Sequence, residues 1–162
     1  MKKILFIILI SIYISSCMIF GGTNRNTEFS FQWVDRMSVY LGNYLTDIPL
    51  EYKQNIRYDE KDNTYSSLKS FSETIADGFI IKDNIVFGAI WMKIIKKQNL
   101  IDSEYVKYLV SFNNYFGNYS GADTEAAFWN WNSKIILLYK IPNSGIAVII
   151  SESKQPSNSI NE

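Results

Sequence analysis

The chain of 162 residues contains no histidine and a single cysteine, Cys17. The first absence removes the commonest general base, the usual nitrogen ligand of zinc and every Ser-His-Asp or Cys-His arrangement. The second rules out an intramolecular disulfide and leaves one thiol to be accounted for. A phosphate-cradling loop is also missing: Gly21-Gly22 is the only glycine pair, and no Gly-x-x-x-x-Gly-Lys pattern follows it. Nor is there a basic stripe of the kind nucleic acids select. Lys93, Lys96 and Lys97 form the densest basic run, which reads as the solvated end of a strand or turn. No cofactor, metal or nucleic-acid partner is therefore expected.

Charge is balanced, with 16 Lys plus Arg against 16 Asp plus Glu, while 47% of residues are hydrophobic and 15% aromatic. That is too apolar for a disordered chain, and the length suits one globular domain.

The longest apolar run is short and lies at the beginning. Met1, Lys2 and Lys3 give a positive start, followed by Ile4 to Ile14, interrupted only by Ser11 and Tyr13. Eleven residues fall below the roughly 17–25 that span a bilayer as a helix, and the layout is that of a signal peptide. The run ends in Ile14-Ser15-Ser16-Cys17, a branched apolar residue, two small ones and a cysteine.

This tetrad resembles the lipobox of bacterial lipoproteins, and the resemblance covers the signal region alone. It implies a diacylglyceryl group on the sulfur of Cys17, cleavage just before that residue, and acylation of the new amino terminus. Two or three chains give durable anchoring where one binds marginally, since each buried methylene contributes about 0.8 kcal/mol. Met18, in place of an inner-membrane retention Asp, leans toward an outer membrane. The implied location is the cell membrane or outer membrane, lipid-anchored and facing outside the cytoplasm.

The divisions that follow are a signal peptide over 1–16, a lipidated tether over 17–28, a globular domain over 29–152 and a disordered polar tail over 153–162. Within the domain, Val34, Met37, Leu41 and Tyr44 recur at helical spacing, so a helix is expected from about Phe29 to Leu45. Glu51 to Asn63 reads as loop with room for a short strand. Tyr65, Leu68, Phe71 and Ile75 also fit a helix, with Gly78 as its left-handed cap and a strand as the alternative. Phe79-Ile80-Ile81, then Lys82-Asp83-Asn84, then Ile85 to Ile95 reads as a hairpin. Asp102 or Ser103 is expected to cap a helix whose inward stripe is Val106, Leu109, Val110, Phe112, Asn113 and Phe116 and which stops at Gly117 with Asn118. Glu125–Trp131, Ile135–Ile141 and Ile146–Ser151 form a meander. The expected fold is α+β: an antiparallel sheet of about five strands with two or three helices packed on one face.

Chemistry is left to carboxylates and aromatics. Asp123 with Glu125, or the cluster Asp59, Glu60 and Asp62, are the residues a carboxylate-dependent hydrolase would use, though solvated turns explain them as well. In Phe128-Trp129-Asn130-Trp131, alternation puts both Trp rings on one face. That is a platform for a sugar or a partner's apolar anchor if the face is open, and core if a helix covers it. Trp33 and Trp91 sit in apolar periodic stretches and are expected in the core. With the location that the lipobox resemblance implies, the lack of catalytic groups favours a non-enzymatic envelope lipoprotein that contacts an envelope protein partner or plays a structural part. The alternatives are a carrier of an apolar or sugar ligand lined by Trp33, Trp91, Trp129 and Trp131, and the hydrolase.

Overall fold

A computed structural model describes residues 29–59 and 63–153. Helix α1 spans Phe31–Ser38 and α2 Leu50–Lys53, with a single 3-10 turn at Leu45–Asp47 between them. Strands β1 (Ile56–Asp59), β2 (Thr64–Ser70), β3 (Ile75–Lys82) and β4 (Ile85–Ile94) follow. Helix α3 (Gln98–Phe116) then leads to β5 (Gly121–Ala122), β6 (Ala126–Trp131), β7 (Lys134–Ile141) and β8 (Gly145–Glu152). All eight strands join one antiparallel sheet in the order β1-β2-β3-β4-β8-β7-β6-β5.

The expectation of about five strands is therefore overturned. The additional strands are β1, β2 and β5, which carry polar residues or are only two residues long. Their sequences offer little apolar signal, and the ladder of a neighbouring strand holds them in place. β2 replaces the expected helix: Ser67 is buried and its hydroxyl donates to the carbonyl of Tyr52, while Leu68 pairs with Gly78. Gly78 is then a strand residue, not a cap. A Cβ there would stand 1.8 Å from the Ser67 carbonyl oxygen, so glycine is required by the close approach of β2 to β3.

Helix α1 also ends earlier than its periodicity suggests, because residues 42–45 bond to the start of β4 instead of to each other. Gly42 N–H donates to Val86 O at 2.9 Å, Val86 N–H to Asn43 O at 2.8 Å, and Leu45 N–H to Asn84 O at 2.8 Å. Gly42 takes a φ of 79°, which releases the chain from helix. The β3–β4 hairpin turns on Asp83 and Asn84, with φ of 52° and 62°, and the β6–β7 hairpin on Asn132 and Ser133, at 47° and 61°. Two successive left-handed residues match the twist of the flanking strands, as in type I′ turns. Register puts both turns and the end of β8 at one end of the sheet, since Lys82 faces Ile85, Lys134 faces Glu152 and Gly88 faces Ser151.

Side-chain alternation sorts the sheet into two apolar layers. One holds Phe79, Ile81, Ala89, Trp91, Trp129, Ile136, Leu138, Val148 and Ile150, together with Trp33, Val34 and Met37 of α1, Tyr52 of α2, and Ile101, Tyr105, Tyr108 and Phe112 of α3. Fully burying a side chain such as Ile101 or Phe112 contributes roughly 1.5–3 kcal/mol, so packing, not intrinsic propensity, holds α3 on the sheet. The second layer comes from strands alone among the described residues: Ala76, Ile80, Ile90, Met92, Tyr139, Ile141, Ala147 and Ile149.

Candidate functional site

The three residues marked by alternation on β6 separate in the fold. Trp129 is 1% exposed, its ring set against Phe112 and Phe116 of α3. Its indole Nε1 donates to Asn113 Oδ1 at 3.1 Å and to the Gly117 carbonyl at 2.9 Å, tying the helix end to the sheet. Trp131 shares that face but is only partly covered, by the last turn of α3. It is half-buried, with ring centroids 5.2 Å from Phe116 and 6.3 Å from Tyr115. Asn130 points to the other face and is exposed, its backbone N–H donating to Ser120 Oγ at 3.1 Å. Only Trp131 of the pair offers ring surface, and a two-indole platform does not form.

Trp131 has other neighbours. Phe31 of α1 stacks face to face on Tyr115 of α3, with centroids 4.1 Å apart and planes 4° from parallel. Phe116 meets Phe31 edge-on at 5.6 Å. Four rings from α1, α3 and β6 thus gather where α3 ends. Tyr115 stands one place off the inward stripe of α3, which is the signal that its ring faces outward, but nothing in the sequence pairs it with Phe31.

A second grouping, centred on Asp77, is not among those singled out from the sequence. Asp77, in the middle of apolar β3, is fully buried and accepts three hydrogen bonds. Trp33 Nε1 donates to Oδ2 at 2.9 Å, Arg36 Nη2 to the same oxygen at 3.3 Å, and Tyr52 Oη to Oδ1 at 2.8 Å. Burial pushes the Asp77 carboxyl above the ordinary carboxylate range, against the lowering pull of the Tyr52 and Trp33 hydrogen bonds and of the Arg36 and Lys69 charges. Burial likewise raises Tyr52, with Asp77 adding to the effect. The arrangement fastens α1 and α2 to the sheet. The lone Asp between Ile75 and Ile81 was the available signal, since an acid in an apolar strand is rarely buried without partners.

The remaining candidates disperse. Asp123 Oδ1 accepts the backbone N–H groups of Glu125 at 2.7 Å and Ala126 at 2.8 Å, which makes it a turn-forming carboxylate at the start of β6. Glu60 and Asp62 lie outside the described residues, as do Ile14, Ser15, Ser16 and Cys17. Lys93 pairs with Glu104 at 2.8 Å, while Lys96 and Lys97 are exposed. Trp33 and Trp91 are core residues, 5% and 4% exposed. The Tyr105 hydroxyl is buried with no hydrogen-bond partner, and burial, followed by Asp123 and Tyr119, pushes its pKa up to about 12. Among the described residues, no three His, Cys, Asp or Glu converge to hold a metal, and no helix is long and apolar enough to cross a membrane. Comparison with family models, curated proteins and solved structures finds no match for this chain.

Proposed function

We propose that the chain is the precursor of a bacterial envelope lipoprotein, cut before Cys17 and anchored to a membrane by acyl groups on that residue. The mature domain makes protein contacts or serves a structural role there, without catalysing a reaction. The observation that carries this reading is Ile14-Ser15-Ser16-Cys17 at the end of a short apolar run behind Lys2 and Lys3, with Cys17 the only thiol in the chain. The packing of the domain favours contact over ligand carriage: Trp33, Trp91 and Trp129 are buried among other rings, so they are not free to line a ligand cavity.

Fractionation of cells making the wild-type chain and a Cys17→Ser variant tests the anchor. The wild type stays with membranes through high-salt and carbonate washes, which strip proteins held by charge alone. The variant leaves the membrane fraction or retains its uncut leader. Equal behaviour of the two chains would count against lipidation.

A further inference from the structure

From the aromatic group at the end of α3, we infer that the domain rests on the membrane surface through this end, with Phe31, Tyr115 and Trp131 seated at the level of the lipid headgroups. This orientation rests on the anchor proposed above. Its first support is where the chain enters the domain. Phe29, the first described residue, packs on Phe31 and Phe112 with ring centroids 5.5 Å and 5.1 Å apart, so the tether arrives beside the Phe31–Tyr115 stack. Eleven residues separate Cys17 from Phe29. Fully extended, that stretch reaches at most about 40 Å, which bounds the distance of this end from the bilayer and leaves the choice of face to the patch itself.

The second support is the chemistry of the patch. Tyr115 is 47% exposed, as is Tyr119 just beyond the helix, and Phe31, Phe116 and Trp131 are half-buried beside them. Tyr and Trp combine an apolar body with a polar tip and concentrate at membrane–water boundaries for that reason. On the α3 side the rim is polar and uncharged at Asn114 and Asn118, both exposed, while on the α1 side Asp35 is exposed one turn on from Phe31. The far end of α3 is different: Lys96 and Lys97 are exposed there, about 28 Å away at 1.5 Å per residue.

The acylated sulfur of Cys17 leaves an introduced cysteine as the only free thiol, which gives a direct test. The full lipidated protein, purified from membranes as Asn114→Cys or Lys96→Cys, is labelled with a fluorophore. It is then reconstituted in phosphatidylethanolamine–phosphatidylglycerol vesicles carrying a headgroup nitroxide quencher. The Asn114 label should be quenched about twofold more than the Lys96 label, as a headgroup-level patch requires. Tyr115→Glu in the Asn114→Cys background keeps the tether and should abolish the difference.

Equal quenching at the two sites, or a difference that survives Tyr115→Glu, overturns the inference and leaves the anchor standing. The second outcome would assign the proximity to the tether alone. An intact mass without acyl groups instead refutes the anchor, and the orientation falls with it.

Discussion

Asp77 separates the need for a charge from the need for a hydrogen-bond acceptor, and two substitutions tell these apart. Asp77→Ala strands the indole N–H of Trp33 and the hydroxyl of Tyr52, both buried in the packed layer beneath α1 and α2. An unsatisfied buried donor costs about 1–3 kcal/mol, so the loss should be about 3–4 kcal/mol. Arg36 adds little, because its side chain is 62% exposed and its pairing is screened. Asp77→Asn behaves differently. Its amide nitrogen can donate to the Tyr52 oxygen, which accepts as readily as it donates, while its carbonyl accepts from Trp33. The expected cost is about 1 kcal/mol.

Urea denaturation followed by tryptophan fluorescence measures both. With m near 2 kcal/mol/M, the Ala variant should lose about 2 M in midpoint and the Asn variant about 0.5 M. The pH dependence has a definite sign. The folded pKa of Asp77 lies above the ordinary carboxylate value, so its contribution to stability is complete below that value and is lost as pH rises through the folded one. Wild type should therefore gain on Asp77→Asn as the solution is acidified toward pH 4. If Asp77→Asn proves as damaging as Asp77→Ala, the site demands a charge and acceptor geometry alone does not explain it.

Trp129→Phe removes the donor that reaches Asn113 and the Gly117 carbonyl, and should cost about 2–3 kcal/mol in the same assay. A loss under about 0.5 kcal/mol would show that the indole N–H is not what ties α3 to the sheet. Gly78→Ala drives a Cβ into the Ser67 carbonyl and should cost about 3 kcal/mol or more, with amide exchange accelerating first in β2. Unchanged protection in β2 would refute the close approach. Tyr105→Phe deletes a buried hydroxyl that has no partner, so it should leave stability unchanged or raise it by about 1 kcal/mol. Because burial raises the Tyr105 pKa from 10 to about 12, the wild type should lose stability as pH rises from 10 through 12, since ionising the buried hydroxyl opposes folding. The Phe variant should lack that loss.

Different parts of the fold are legible in the sequence to different degrees. The β3–β4 hairpin and the β6–β8 meander could be seen in advance because apolar strands are punctuated there by Asp83-Asn84 and Asn132-Ser133, residues that accept left-handed backbone. Helix α3 could be seen from its apolar spacing and from Gly117, but its start and inward face were misplaced: it begins at Gln98, ahead of Asp102 and Ser103, and Val106 and Val110 are exposed while Ile101, Tyr105 and Tyr108 join Phe112 in the core. The edge strands β1 and β5 are too short and polar to be seen, and β2 could not be seen because Thr64–Ser70 mixes serines with Tyr65 and Leu68, a pattern that fits helix spacing equally well. Its strand conformation is imposed by pairing with β3, a long-range contact that local periodicity does not encode.

The same limit applies to the site. Alternation correctly put Trp129 and Trp131 on one face, but how far α3 would extend over that face depended on tertiary packing. The Phe31–Tyr115 stack joins residues 84 positions apart, and the partners of Asp77 lie 25 to 44 positions away in sequence.

Mass spectrometry of the amino-terminal peptide of the mature protein, purified from its native membrane, tests the lipid anchor most directly. The expected peptide begins at Cys17 and carries a diacylglyceryl group, with or without a further acyl chain. A mature chain with an unmodified Cys17, or one that begins at another residue, would contradict the anchor.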